Sequence, residues 1–494
     1  MLKFFSSTSP TPPREPTDCV VPVDYFDDTL LFRTFVMYTV FVFPEVLDTQ
    51  KLHGSLESVV RRPGWNKLAA RLRRNDQGEL EHHIPQSFAQ GRAVISYEHV
   101  NCGNVEIAYH PVGSRIPRPP SDGKPAVVGN PDDLHELIHG ANTPRGLKDY
   151  LYSDRSELGL RIVSFKDSTI IVLHWIHLAF DAVAKRSLLE AWSLALDGKY
   201  DEIPEPLLPN SYPLEALGKT NPPHVLAHRR MSVFGTTLWV LRNIYRLAFC
   251  RKEHRMVCVP AEFLAKLKEK ALKENDVRGP EDERTLSLSR EEQFLSDGDV
   301  LLAWITRLSL SNFPEDSKRL VAVQQAYQWR PVLKDLLPSG KPFLCNCVGF
   351  LITIMSVRDI MKKPLGHLAS AIRRSITEQG TREQVEAYSS LVRQDPSTKS
   401  PPFFGSSSMQ LLMFSNWQKA KIYGFDLSAA AAQPRKTPLL PSYVQTTQGP
   451  YNFTDGIIVV GKDEHENYWL SGYKVQGEWS AMERMMRRDI CGEC

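Results

Sequence analysis

Apolar side chains follow two rhythms along this chain. From Val20 to Phe43 they are β-branched or aromatic and nearly continuous, as in buried strand. Leu30 to Leu47 would read as a membrane span were it not broken by Arg33 and Pro44. The spacing then changes to that of a helix through Leu52, Leu56, Val59 and Val60. Lys67 to Leu72 continues as amphipathic helix, and Glu79 to His83 returns as strand. A Pro- and Gly-rich loop, Val112 to Pro131, precedes a short helical patch at Leu134 to Ile138. Strands Leu160 to Phe165 and Thr169 to Ile176 are joined by Lys166-Asp167-Ser168, a hairpin signature. A helix over Val183 to Leu196 follows at once, with a wide apolar stripe at positions 183, 184, 188, 189, 192, 195 and 196.

Six prolines between Ile203 and His224 mark an interdomain linker. The expected organisation is a flexible Pro-rich tail at 1–19, a first domain at 20–202, a crossover linker at 203–230 and a second domain at 231–494. The second domain opens with Met231 to Cys250, where Arg242 and Arg246 share one helix face. That spacing predicts an amphipathic helix packed on the domain rather than a span, with a contact at a membrane surface as the other reading. An acidic loop near Glu274 to Arg284 leads to a helix capped by Ser296-Asp297. Strands follow at Leu320 to Tyr327 and Val348 to Met355, a helix at Leu365 to Thr377, then strands at Gln410 to Phe414, Gly456 to Val460 and Tyr468 to Tyr473. The pattern predicts a mixed α/β (α+β) protein of two similar-sized domains with a cleft between them.

The 494 residues leave room for that division. Lys plus Arg (60) nearly balance Asp plus Glu (57), and 42% of residues are hydrophobic. Disorder and a basic nucleic-acid binder are therefore excluded as readings. The N-terminal segment has no apolar stretch of the length a secretory signal needs, so a cytoplasmic location is expected; the chain is separately expected to be a monomer. Eight scattered cysteines suit reduced thiols, and the terminal Cys491-Gly-Glu-Cys494 stands without a second pair.

Three motifs compete for the chemistry. His135-Glu136-Leu137-Ile138-His139 is a formal H-E-x-x-H, which on a helix could hold zinc with Glu136 as general base. Asn142 and Arg145 stand where the extended pattern has its glycine and third histidine, and a Pro- and Gly-rich loop lies close by. Gly218-Lys219-Thr220 ends like a phosphate-binding loop, but Pro213 occupies the place of its first glycine. His177-Leu-Ala-Phe-Asp181 is an H-x-x-x-D at the junction of an apolar strand and a helix. There an imidazole can be presented at a domain edge, and Asp181 can cap the helix.

The segment His174-Trp-Ile-His177-Leu-Ala-Phe-Asp181-Ala resembles the H-x-x-x-D-G motif of the BAHD-type acyl-CoA-dependent acyltransferases. It is most similar to their fungal branch, which includes trichothecene and meroterpenoid O-acetyltransferases. The likeness runs through nearly the whole chain. Val21-Pro22-Val23-Asp24 resembles the family's opening S-x-x-D, and Gly64-Trp65-Asn66-Lys67-Leu68 its first helix. Ser296-Asp297-Gly-Asp299 through Trp304 resembles the helix that opens its second domain. Tyr327-Gln-Trp-Arg330 is similar to its strand ending in arginine, and Cys345-Asn346-Cys-Val-Gly349 to its G-N loop. Ser415-Asn416-Trp417 is similar to T-S-W, and Tyr423-Gly-Phe-Asp426-Leu-Ser to D-F-G-W-G. Ala182 replaces the glycine after the motif aspartate, and the last motif keeps Asp426 but not its glycines.

The resemblance implies a fold of two similar domains of the chloramphenicol acetyltransferase type, with the active-site channel between them. It implies acyl transfer from acetyl-CoA, a co-substrate and not a resident cofactor, to a hydroxyl of an apolar fungal metabolite. No metal, nucleic acid or transmembrane segment is implied. His177 would be general base, a role the near-neutral pKa of histidine suits. Asp181 would pair with Arg330 and hold the turn, while Ser415 and Trp417 would face the oxyanion. Ser296, Asn346 and Gly349 would contact the acyl donor, and Asp426 would be structural. Carrier-bound condensation chemistry, a degenerate binding protein motivated by Ala182 and the lost glycines, and a zinc hydrolase using His135, Glu136 and His139 are the alternatives.

Overall fold

The computed structural model describes residues 12–88, 91–276, 294–450 and 454–491. The acidic loop expected at Glu274 to Arg284 lies largely outside them, as does most of the terminal Cys-x-x-Cys. In the first half, the strand Val36–Phe43 is buried at all eight positions, and so is Thr169–Ile176 beside it. They form the middle of a five-stranded sheet in the order Tyr443–Gly449, Val36–Phe43, Thr169–Ile176, Leu158–Ser164, Ser96–Asn101. Burial on both faces explains why these strands lack the apolar-polar alternation of a half-exposed sheet. The helices Thr49–Val60 and Ala182–Leu196 pack against each other. Trp192 fastens them, its indole N–H donating to the Leu52 carbonyl at 3.1 Å and to Ser55 Oγ at 2.9 Å.

The second half is built on a seven-stranded sheet. Its order is Val348–Ser356, Leu320–Gln328, Gln410–Asn416, Gly456–Lys462, Tyr468–Val475, Lys252–Val259, Ala126–Gly129. The helices Ala261–Asp276, Asp297–Ser309 and Leu365–Gln379 pack on one another, and Trp304, Leu308 and Ile372 join Val321, Val323 and Leu470 of the sheet in one core. A three-stranded sheet of Cys19–Pro22, Leu80–Ile84 and Arg71–Arg74 stands apart.

Four expectations change. The amphipathic helix at Lys67 to Leu72 is instead a 3-10 turn, Trp65–Ala69, followed by the strand Arg71–Arg74. Arg71 and Arg73 are buried there because carbonyls of Ala69, Ala93 and Ser153 and the Asp154 carboxylate receive their guanidinium N–H groups. The tail is anchored at its end, where Asp18 pairs with Arg92 at 2.5 Å. The division at 203–230 is crossed twice, by Tyr443–Gly449 joining the first sheet and Ala126–Gly129 joining the second. Finally, the helix at 231–250 packs by the opposite face from the one its sequence pattern suggests, as described below. The linker itself contains no strand and only single turns, yet it is well seated. Glu386 Oε1 accepts from the Gly218 and Thr220 N–H groups and the Thr220 hydroxyl at 2.8–3.1 Å. The backbone that looked like a phosphate loop therefore binds an anion, and the anion is the chain's own carboxylate.

Candidate active site

A cavity of about 790 Å³ is lined from both halves, with Phe32, Met37 and His177 on one side and Tyr327, Ser415 and Ile458 on the other. His177 directly follows the strand Thr169–Ile176, and its backbone is held from two directions. Its N–H donates to the Phe35 carbonyl at 2.8 Å, and its carbonyl accepts from Asn346 Nδ2 at 2.9 Å. Two residues on, the Ala179 N–H closes the turn on Ile176. Phe32 stacks on the imidazole with centroids 4.5 Å apart. Nδ1 is buried, so Nε2 is the ring nitrogen available to the cavity. Burial pulls the His177 pKa below its ordinary value, outweighing its own carbonyl, Asp181 and Asn346. The shift favours the uncharged ring, the form able to take a proton.

Asp181 points away from the histidine chemistry. Its Oδ1 caps the helix Ala182–Leu196 by accepting from the Val183 and Ala184 N–H groups at 3.1 and 3.0 Å. Its Oδ2 accepts from Arg330 Nη1 at 2.7 Å and from the Cys347 N–H at 3.0 Å. Burial raises the pKa of this carboxyl, but Arg330 and these N–H donors together bring it below the ordinary value. Arg330 also donates to the carbonyls of Phe343 and Cys345. Ala182 is the first residue of its helix and does not have a positive φ, so the missing glycine has no conformational consequence.

Ser415 lines the cavity at the end of the strand Gln410–Asn416, and Trp417 follows it. The Trp417 indole N–H donates to Ser415 Oγ at 2.8 Å. The two are therefore in series: the indole orients the hydroxyl, whose own proton remains free to point into the cavity. Ser296 also lines the cavity, as the cap of Asp297–Ser309, but its Oγ and N–H are engaged with Asp299. Asp426 Oδ1 accepts from the Ser428 and Leu439 N–H groups, which closes its loop without glycines.

Two residues expected at the acyl donor are elsewhere. Asn346 is buried behind the His177 turn, its amide bridging the His177 carbonyl and Asp27 Oδ1. Gly349 is absent from the cavity wall; a Cβ there would stand 2.4 Å from the Trp329 indole, so packing against that ring requires glycine. His135 and His139 fall on a single helical turn, His135–Ile138, with His139 against Tyr38. No group of three His, Cys, Asp or Glu side chains able to hold a metal occurs among the described residues.

Sequence reasoning missed three buried charges behind the turn. Asp27 Oδ1 accepts from both the N–H and the amide of Asn346, and burial lifts its pKa to about 6. Lys67 Nζ donates to the carbonyls of Leu344 and Ala179 and lies 3.6 Å from Asp27 Oδ2. Lys185 Nζ donates to Thr39 Oγ1 at 3.0 Å and lies 4.1 Å from the Trp417 ring centroid. Burial brings the Lys185 pKa down to about 7. Only Lys185 left a signal, as a charge inside an otherwise apolar helix stripe.

The same architecture occurs in solved enzymes. TRI101 of F. graminearum, complexed with coenzyme A and T-2 mycotoxin, superimposes with a TM-score of 0.67 at 14% identity, over 94% of this chain and 97% of that one. Vinorine synthase does so at 0.57 and 13%, over 96% and 94%. No family model matches the chain. Among curated proteins it is 33% identical over 512 residues to acetyltransferase sphE of Aspergillus fumigatus, covering 98% of each. It is 32% identical over 503 residues to acetyltransferase adrJ of Penicillium rubens, covering 99% of each. The chain belongs to the fungal BAHD-type O-acetyltransferases. Membership is not uniform in name, because transcriptional regulator calD of Penicillium decumbens is 36% identical over 503 residues, 99% of each. The two-domain, CoA-dependent acyltransferase fold accounts for the cavity between halves. No helix among the described residues of this BAHD-type chain is long and apolar enough to cross a membrane.

Proposed function

We propose that the protein transfers the acetyl group of acetyl-CoA to a hydroxyl of an apolar fungal metabolite, a terpenoid or meroterpenoid, with His177 as general base. The observation that carries this reading is the His177 imidazole on the cavity wall, stacked on Phe32 and carried by a turn whose carbonyl accepts from Asn346 Nδ2. Phe32, Phe35, Met37 and Ile458 give the cavity an apolar wall suited to such an alcohol. Lys268, Arg373 and Lys419 also line the cavity and suit the phosphates of CoA, although Lys268 pairs with Asp297 and Arg373 with Asp299.

In the proposed reaction His177 Nε2 takes the hydroxyl proton as the alcohol oxygen bonds to the thioester carbon. The carbonyl oxygen becomes an oxyanion, to which the Ser415 hydroxyl donates. The tetrahedral centre collapses, the carbon–sulfur bond breaks, and the imidazolium returns its proton to the CoA thiolate. Trp417 acts through Ser415, and Asp181, Arg330 and Asn346 keep the turn in place. Regulation, which the name of calD describes for that protein, needs no such base in a cavity; a balance of 60 basic to 57 acidic residues also gives little surplus for a phosphate backbone.

The test is incubation with acetyl-CoA and a panel of terpenoid alcohols, following free CoA thiol and product mass. Turnover is expected with the native protein, and His177→Ala is expected to lower it by about 10²-fold or more with the melting temperature unchanged. Substantial turnover by a folded His177→Ala variant would overturn the assignment of the base.

A further inference from the structure

The helix Val233–Ile244 and the π-helical turn Tyr245–Phe249 that extends it are oriented opposite to a helix packed by its apolar face. Val233, Thr237, Val240, Leu241, Ile244 and Tyr245 recur at helical spacing on one face, and all are exposed. Phe234 flanks them at 78% exposure, Tyr245 reaches 70% and Leu241 60%. The Thr237 hydroxyl donates to the Val233 carbonyl at 2.9 Å, so it does not interrupt the apolar face. The side that meets the domain carries Trp239 and Leu247 with the partly buried Arg246, and the exposed Arg242 lies at its margin. Arg242 donates to Ser407 Oγ at 2.9 Å, and Arg246 pairs with Asp455 at 2.7 Å and Glu478 at 2.5 Å. Trp239 anchors the helix by packing on Ala322, Ile352, Phe404 and Met409, with Leu247 and Met231 partly buried against the same cluster.

Exposed apolar area of this extent calls for an occupant, and the flanking charge selects one. From Ala227 to Lys252 the sequence has Arg229, Arg230, Arg242, Arg246, Arg251 and Lys252 and no acidic residue. Arg229 and Arg230 are exposed at one end of the helix and Arg251 at the other. A second copy laid across this face, in either direction, would bring arginines against arginines. An anionic lipid surface meets both demands: its acyl boundary receives the apolar face, and its headgroups receive the arginines at the two ends. At 17 residues and about 25 Å the element is suited to lying flat in the interface.

We infer that the face formed by Val233–Phe249 docks the protein on an anionic membrane surface. Cosedimentation of the full-length protein with phosphatidylcholine vesicles, and with vesicles also containing phosphatidylserine, tests this. Binding is expected to the phosphatidylserine vesicles and to weaken with added salt. Arg229→Glu and Arg251→Glu should each reduce it by about fivefold or more. Combined Phe234→Ser, Leu241→Ser and Tyr245→Ser should abolish it with the melting temperature and solution acetyl transfer unchanged, because these side chains are exposed and lie off the cavity wall. Three results would overturn the inference: no binding to either vesicle, binding that survives the triple substitution, or a dimer in solution that the triple substitution dissociates.

Discussion

The 2.8 Å bond from the Trp417 indole to Ser415 Oγ orders two residues separated in the sequence only by Asn416. An indole N–H has a single proton and cannot serve the oxyanion and the serine at once. In the proposed reaction Ser415 is therefore the group that meets the reacting carbonyl, and Trp417 sets where its hydroxyl points. Ser415→Ala is expected to lower kcat by about 10²-fold, the usual effect of removing one oxyanion donor, with KM little changed. Trp417→Phe keeps most of the ring but loses the orienting N–H, so its kcat should fall less. Equal losses in steady-state assays would show that the indole itself reaches the substrate. The S-N-W motif named both residues, but not their order of action, because hydrogen-bond direction depends on where a strand end and a cavity meet. Asn346 was misread for a related reason: spacing put it on a motif loop, and only the fold shows that the loop's amide faces Asp27 and the His177 carbonyl.

Within the helix Ala182–Leu196 the sequence and the structure agree closely, since a wide apolar stripe after a hairpin leaves few other readings. The short segments were less legible. Arg71 looks like the polar face of a helix until carbonyls from two other segments, at Ala93 and Asp154, are brought to it. The helix Val233–Ile244 has a clear period, but a period does not say which face turns inward. Lys185, inside the first of these helices, makes a prediction of its own. Its amine has a pKa of about 7 in the folded protein against the ordinary 10.5 when unfolded, so the unfolded chain binds the extra proton between those values. The associated stability is present above about pH 10.5 and is lost as pH falls toward 7, at up to about 1.4 kcal/mol per pH unit. Lys185→Met removes the buried amine while filling similar space. Its advantage in melting temperature over the native protein should be greatest near pH 7 and close toward pH 10; a gap independent of pH would show that the lysine is not neutralised on folding.

Across the whole molecule, the turn that carries His177 is shared by both halves. His177 and Asp181 come from the first, while Arg330, Asn346 and Cys347 reach them from the second. The linker was visible as a run of prolines, whereas the two strand exchanges were not, because local pattern does not record a strand's distant partner. The Asp181–Arg330 pair therefore joins halves as well as shaping a turn. Both side chains are largely buried, so removing one charge leaves the other without a partner in a poorly solvated place. Asp181→Asn retains an oxygen for the helix cap and loses the ion pair together with the acceptor of the Cys347 N–H. It is expected to cost about 3 kcal/mol or more in denaturant unfolding and to lower turnover at the same time. Removing both charges, by Asp181→Asn with Arg330→Leu, should cost less than the sum of the single substitutions, since neither partner is then left charged. A stable but inactive Asp181→Asn variant would instead give the carboxylate a direct part in the chemistry, and strictly additive losses would show that the two charges do not support each other.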